Sequence, residues 1–450
     1  MQKYTNQAPL ADALAAQQAN PQGFATYIDR ICDRIDQVEP HVEAFVPENN
    51  RRQRMQQVAA ELQSRNATHT LPLYGAILGV KDIFYVDGFD TKAGSDVPTD
   101  HFNQAEAVSV SKLRDAGALV AGKTVTTEFA YFAPGPTRNP HNTAHTPGGS
   151  SSGSAASVAA GMCTLALGTQ TVGSVIRPAA FCGIVGFKPS YGRLNSTGIL
   201  YYSRTVDHVG LFTQDVQGMT QAACIVCDNW TEPLMATGYP ILGVPEGPYL
   251  QQASAEALKR FERQVADLQE KGFPVKRVPV LDNIESMTHT HNRLIYAELA
   301  EEHAPIYDQY QHLYRQRTRD AIDEGRTVSA DEVAVGRASC LDNRASIEAL
   351  MDREGIDLWV CPSAPGPAPQ GIHATGNPCM NMPWTHTGMP AITLPADYAD
   401  NGLPLGLQCV THFGRDEALL LWATMLSDAL QPRLEREQRY KVYMPAVFAE

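Results

Sequence analysis

Apolar residues recur every third or fourth position through residues 8–66 (ALAAQQ, ATYIDRICDRIDQV, RRQRMQQVAAELQSR), and that spacing predicts amphipathic helices. At 73–88 the pattern changes to a continuous apolar run, LYGAILGVKDIFYVDG, which reads as a buried strand ending near Lys81 and followed by turn residues. EAVSVSKLRDAG, residues 106–117, returns to helical spacing with Gly117 as its C-terminal stop, and ALVAGKT reads as the next strand. A long polar loop, APGPTRNPHNTAHTPGGSSSG, runs into a helix of small residues, SAASVAAGM. The strand TLALGTQ then feeds a glycine-containing turn at 168–174. Residues 225–355 are mostly helical and charged; beyond them come short apolar strands, IDLWVCPSA, PAITLPA and PLGLQCV, and a last helix at 415–429. Strands on both sides of a helical middle predict one sheet built from both ends of an α/β chain.

Composition narrows this picture. A chain of 450 residues with 43% hydrophobic content can bury a large core. A net charge of −13 argues against nucleic-acid binding, and no apolar run approaches the roughly 20 residues that cross a bilayer. The N-terminal sequence lacks the pattern of a secretory signal, and nine scattered cysteines suggest reduced thiols, so a cytoplasmic location is expected. Cys224 and Cys227 form a C-x-x-C inside a helical pattern with no second pair at zinc spacing, and no metal is expected there. His289, His291, Glu298 and His303 crowd one helical stretch; His289 and His291 cannot share a face, and the stretch reads as polar surface.

The most unusual segment is TPGGSSSGS, residues 146–154. As a phosphate loop it lacks the lysine after Gly153. As a hydrolase elbow centred on Ser151 it lacks the preceding strand, and a flexible serine-rich turn is the plain alternative. Two other features accompany it. GTQTVGS ends a tight turn at Ser174, whose successive N–H groups could hold an oxyanion. Lys81 ends an apolar strand, where burial would make it a base near neutral pH, although a paired surface lysine is the ordinary reading.

The run PGGSSSGSAASVAAGMCTLALGTQTVGSVIRPAAFCGIVGFKPSYGR, residues 147–193, resembles the defining motif of the amidase signature family. GVKD at 79–82, AGALVAGKTVTTEFA at 116–130, the NPHNTAHTPGGSS that ends at Ser151, and TGNPCMNMPWTHTGMPAITLPADYADNGLPLGLQ at 375–408 resemble its other blocks. The likeness implies a single domain with a mixed many-stranded sheet covered by helices on both faces. Residues 1–70 would be an N-terminal helical segment and 71–450 the amidase domain, with its motif core at 75–210, a helical pocket-forming region at 225–355 and C-terminal strands and helix at 356–450. It also implies a Ser-Ser-Lys triad of Ser174 as nucleophile, Ser150 as proton bridge behind a cis peptide, and Lys81 as base. Backbone amides of Thr171, Val172, Gly173 and Ser174 would form the oxyanion hole, with no cofactor or metal required.

The chain departs from the family pattern at Ile77, Ser152, Gln170, Val172 and the spacing of Arg177, three residues beyond Ser174. Candidate substrate contacts are Arg177, Gln170, Tyr131, Tyr202, Asn381 and Trp384, with His386 nearby in sequence; Arg177 could equally be a structural ion pair. The expected activity is hydrolysis of a small polar amide or urea-type compound by an acyl-enzyme. The alternatives are a glutaminase-type subunit of a tRNA-dependent amidotransferase and a non-catalytic scaffold. The expected partner is a small-molecule amide, not nucleic acid or membrane, and the N-terminal helices could mediate a homodimer.

Overall fold

A computed structural model describes residues 3–66, 71–102, 104–232 and 238–436. Its core is set by strands that, apart from one at the sheet edge, are buried on both faces, as in a sheet covered on both sides. These are β1 (Ile77–Lys81), β2 (Leu119–Thr124), β3 (Leu165–Gln170), β4 (Val185–Lys188), β5 (His208–Thr213), β6 (Leu242–Glu246), β7 (Val275–Pro279), β8 (Leu358–Pro362), β9 (Ala391–Tyr398) and β10 (Pro404–Val410). They form one sheet in the order β2-β1-β3-β5-β4-β9-β10-β8-β6-β7. Pairing is parallel at the two ends, β2-β1-β3 and β8-β6-β7, and antiparallel through the middle.

The N-terminal helices are α1 (Leu10–Ala19), α2 (Phe24–Val42) and α3 (Arg51–Arg65). The α2 stripe of Phe24, Ile28, Ile31, Ile35 and Val38 is fully buried. It shares one apolar cluster with Tyr74, Ile77, Leu119 and Ala155, so these helices cover the β1/β2 end of the sheet and have no core of their own. The boundary expected at residue 70 falls at residues outside those described.

The expected strand at 73–88 narrows to β1, with turns on either side. Gly117, at φ 104°, turns the chain out of α4 (Val108–Asp115) as its position before ALVAGKT suggested. Short helices α5 (Ser152–Ala159) and α6 (Ile176–Cys182) and the longer α7 (Val216–Val226) follow. Cys224 on α7 is exposed, and Cys227 just beyond it is buried. The 225–355 region carries α8 (Ala255–Glu270), α9 (Ile284–Tyr310), α10 (Gln316–Gly325) and α11 (Ala330–Glu354). It also contributes β6 and β7, which the charged, proline-bearing segments LGVPE and VKRVP had concealed. Pro279 ends the edge strand β7, where a missing N–H breaks no ladder. The chain closes with α12 (Met382–His386) and α13 (Asp416–Arg436). Among the described residues no helix is long and apolar enough to cross a membrane.

The polar surface expected at His289–His303 is a correction. Only His289 is exposed; His291, Glu298 and His303 are buried on α9. Positions 291 and 298 lie two helical turns apart on the inward face, and each buried polar group is hydrogen-bonded.

Candidate active site

Parallel pairing brings the C-terminal ends of β1 and β3 side by side, which places Lys81 against Thr169. Lys81 Nζ lies 2.7 Å from Ser150 Oγ and 2.8 Å from Thr169 Oγ1, wholly buried. Burial pulls its pKa down to about 7, with the charge of Asp207 pulling the other way. In the neutral amine an N–H can serve Thr169 while the lone pair accepts from the Ser150 hydroxyl.

Ser150 follows a cis peptide bond from Gly149. The remaining serines of the run are used internally. Ser151 Oγ donates to Thr169 O at 3.2 Å and accepts from Thr169 N at 3.3 Å. Ser154 Oγ donates to Leu167 O at 2.8 Å. Among the glycines of this run Gly153 allows the tightest approach, since a Cβ there would sit 2.1 Å from Ala44 O. The loop is therefore knitted to β2 and β3 and is not a free serine-rich turn. Ser151, fully buried, does not reach the cavity beside Ser150.

The turn from Thr171 to Ser174 is held from behind. Gln170 Oε1 accepts from Val175 N at 2.8 Å and Ile176 N at 3.0 Å, satisfying amides at the start of α6. Its Nε2 donates to Thr385 Oγ1, which donates in turn to Val172 O at 2.7 Å. Thr171 Oγ1 donates to Asp207 Oδ1 at 2.6 Å, and Asp207 Oδ2 accepts from Tyr202 N and Ser203 N. Burial raises the Asp207 carboxyl to about 6, against those hydrogen bonds. With the turn fixed in this way, the N–H groups of Thr171, Val172, Gly173 and Ser174 find no acceptor among the described residues. A row of amides in that state is a ready donor set for an anionic oxygen. The Ser174 hydroxyl is likewise without a partner among the described residues and borders the same cavity as Ser150.

That cavity is closed by Tyr131, Phe132, Val172, Tyr202 and Thr375 down to the space of about one water molecule. Tyr131 O–H donates to Tyr296 Oη at 3.3 Å. The Tyr202 hydroxyl is buried with no partner among the described residues. Three expected substrate contacts lie elsewhere: Gln170, Asn381 and Trp384 do not border the cavity. Asn381 Nδ2 donates to Ser363 O and Gln408 Oε1, and a Cβ on Gly173 would come within 2.6 Å of Asn381 Oδ1. Trp384 Nε1 donates to Tyr249 Oη at 2.8 Å. Gln170 and Asn381 lie against the turn, Asn381 Oδ1 without a partner among the described residues, and Trp384 is bonded in the interior. Arg177 does border the cavity, but both of its terminal nitrogens are engaged, and only Nε is without a partner among the described residues. Nη1 donates to Gly376 O at 2.6 Å, and Nη2 donates to Gly149 O at 2.6 Å and Thr375 Oγ1 at 3.2 Å. Burial lowers its pKa to about 9, which leaves it charged at neutral pH. It pins backbone on both sides of the cavity and makes no side-chain ion pair among the described residues.

Sequence reasoning missed Thr169, Asp207 and the role of His291, whose Nε2 lies 3.1 Å from Thr171 O. A polar threonine inside the apolar strand LALGTQ was the one available signal for Thr169. Asp207 and His291 reach the turn only through tertiary packing.

A mixed α/β sheet that sets a buried lysine and two serines around a turn of free amides is equipped to attack a carbonyl and hold its oxygen, as a hydrolase of C–N bonds must. The chain belongs to the amidase family, that of the amidase signature, whose profile matches residues 26–420. A glutamyl-tRNA(Gln) amidotransferase subunit from Thermus thermophilus is 30% identical over 446 residues, covering 88% of this chain and 92% of that protein. The corresponding subunit from Lysinibacillus sphaericus is 29% identical over 441 residues, covering 86% and 89%. A crystal structure of an amidase superposes with a TM-score of 0.86 at 28% identity, covering 94% of this chain and all of that one.

Proposed function

We propose that this amidase-family hydrolase cleaves the C–N bond of a small polar amide or urea-type compound through an acyl-enzyme on Ser174. The observation that carries the reading is Lys81, buried, held near pH 7 and 2.7 Å from Ser150 Oγ. Neutral Lys81 takes the Ser150 proton as Ser150 takes that of Ser174, and Ser174 Oγ bonds the carbonyl carbon. The amides at 171–174 stabilise the oxyanion, each such donor being worth roughly 3 kcal/mol. Collapse breaks the C–N bond while Ser150 returns a proton to the leaving nitrogen. Water, deprotonated along the same path, then releases the acid. Ser150 and Ser174 border one cavity without a direct hydrogen bond, and catalytic hydrogen bonds of this kind tighten when substrate binds. With Arg177 occupied and the cavity small, a compact neutral acyl group fits better than an anionic one.

The test is fluorophosphonate labelling followed by peptide mapping, alongside an ammonia-release screen of short amides, ureas and amino-acid amides. Adduct on Ser174, with turnover lost in Ser174→Ala and Lys81→Ala, supports the assignment; adduct on Ser151 instead would sink it. The named relatives favour a second reading, an amidotransferase component that supplies ammonia to a partner. Hydrolysis by the purified chain without ATP or partner favours the first reading, and dependence on a partner favours the second.

A further inference from the structure

Behind the Ser174 turn a file of hydrogen bonds runs through three helices. Asn283, at the N-terminus of α9, donates from Nδ2 to Asn343 Oδ1 at 3.0 Å. Asn343 on α11 donates from Nδ2 to Ser339 Oγ at 2.9 Å. Ser339 Oγ lies 2.9 Å from His386 Nε2 on α12. His386 Nδ1 lies 3.2 Å from His291 Nδ1 on α9, and His291 Nε2 lies 3.1 Å from Thr171 O.

The chemistry of each end fixes every proton between. A carbonyl only accepts, so His291 carries its proton on Nε2 and its Nδ1 is a bare acceptor. Cys340 Sγ, 3.5 Å from His386 Nδ1, gives its S–H to Gly336 O, so His386 must donate from Nδ1 and its Nε2 accepts from the Ser339 hydroxyl. That hydroxyl is free to donate because its own lone pair is served by Asn343. All five bonds therefore point the same way, towards the carbonyl of Thr171, and bonds in such a file polarise one another. His291 must be neutral, since an extra proton on its Nδ1 would set N–H against N–H at the ring contact; an extra proton on His386 would sit on Nε2 and reverse the Ser339 bond. Burial agrees, lowering His291 to about 3, with His386 adding to the shift, and His386 to about 4.

We infer that His291, its tautomer set by this directed file, is the positioning residue that fixes the Thr171 peptide plane and so aims the adjoining amides of the oxyanion turn. The inference rests on the Ser174 reading. Thr171 is held at two points, its hydroxyl by Asp207 and its carbonyl by His291. Releasing the carbonyl frees the plane to rotate and spoils the alignment of the N–H row.

Two substitutions separate positioning from packing. In His291→Gln the amide nitrogen falls near the place of Nε2 and still donates to Thr171 O. In His291→Asn the amide falls near Nδ1, keeps the His386 side and loses Thr171. The second-order rate of fluorophosphonate labelling at Ser174 is the readout, with melting temperature recorded alongside. Gln is expected to stay within about threefold of wild type and Asn to fall roughly 10- to 100-fold, the scale of a small misplacement in a catalytic site. Equal rates in the two variants, at whatever level, would overturn the inference. Failure of the wild-type protein to label at Ser174 would instead remove the reading on which it rests.

Discussion

A lysine ammonium enclosed by protein loses its hydration and gains too little in return, so Lys81 gives up its proton near pH 7. Only the neutral amine is a base, so kcat/KM should rise with pH along a limb centred near 7 and level off above it. Lys188 is buried too and is also lowered to about 7, but the carboxylate that opposes its shift is Asp416. Asp207→Asn therefore identifies the titrating group: without that negative charge the Lys81 limb should move to lower pH, while a limb due to Lys188 would stay in place. A flat or falling profile between pH 6 and 9 in intact protein would rule out the lysine base. Lys81, Ser150 and Ser174 were legible because each sits in a locally odd string: a charge ending an apolar strand, or hydroxyls among glycines. Thr169, Asp207 and His291 carry no such local mark, since what makes them notable is a neighbour distant in sequence. Arg177 was legible as a polar group near Ser174, but nothing local revealed that Gly149 and Gly376 would take its donors.

At the level of elements, α9 serves the cavity twice, through His291 and, two turns on, through Glu298. Glu298 accepts from the Ser203 hydroxyl, from the amide and hydroxyl of Thr205, and from Arg337. It thereby clamps the loop that carries Tyr202. Burial would raise its pKa, but these hydrogen bonds outweigh burial and hold it below the usual 4.5. A depressed carboxylate stabilises the fold above its unfolded pKa and loses that contribution as pH falls through its folded value. Glu298→Gln should thus cost about 1–3 kcal/mol in urea unfolding at pH 7. The gap from wild type should close as pH drops below 4.5. A gap that persisted unchanged in acid would assign the loss to packing. Helical spacing revealed α9 but not its buried face, because histidine and glutamate read as solvated residues until their partners are known. Strands β6 and β7 were hidden for a related reason, since short edge-side strands tolerate proline and charge that a central strand would not.

Over the whole molecule, a single sheet with strands from both ends of the chain was readable from apolar runs flanking a helical middle, although that middle itself supplies β6 and β7. The division at residue 70 is less physical, because α2 and the strands β1 and β2 bury one another. Removing residues 1–70 would uncover Tyr74, Ile77 and Leu119 among others, each worth roughly 1.5–3 kcal/mol when buried. The sum is comparable with the 5–15 kcal/mol that typically separates folded from unfolded chains. The 71–450 fragment should accordingly aggregate or lack a cooperative melt by size-exclusion chromatography and circular dichroism. A monomeric, cooperatively melting fragment would show the helices to be an appendage.

The bonds that brace the Thr171–Ser174 turn also have a direction in time. Gln170 meets Thr385, 215 positions later, and Thr171 meets His291, 120 positions later. A ribosome emits Lys81, Ser150 and Ser174 well before either brace exists, and contacts spanning so much chain form late because their loop closure is costly. On the proposed mechanism, nascent or prematurely terminated polypeptide thus holds all three catalytic side chains without the scaffold that would arm them. On that mechanism reactivity would arrive only with completion, which would spare neighbouring proteins from a loose nucleophile during synthesis.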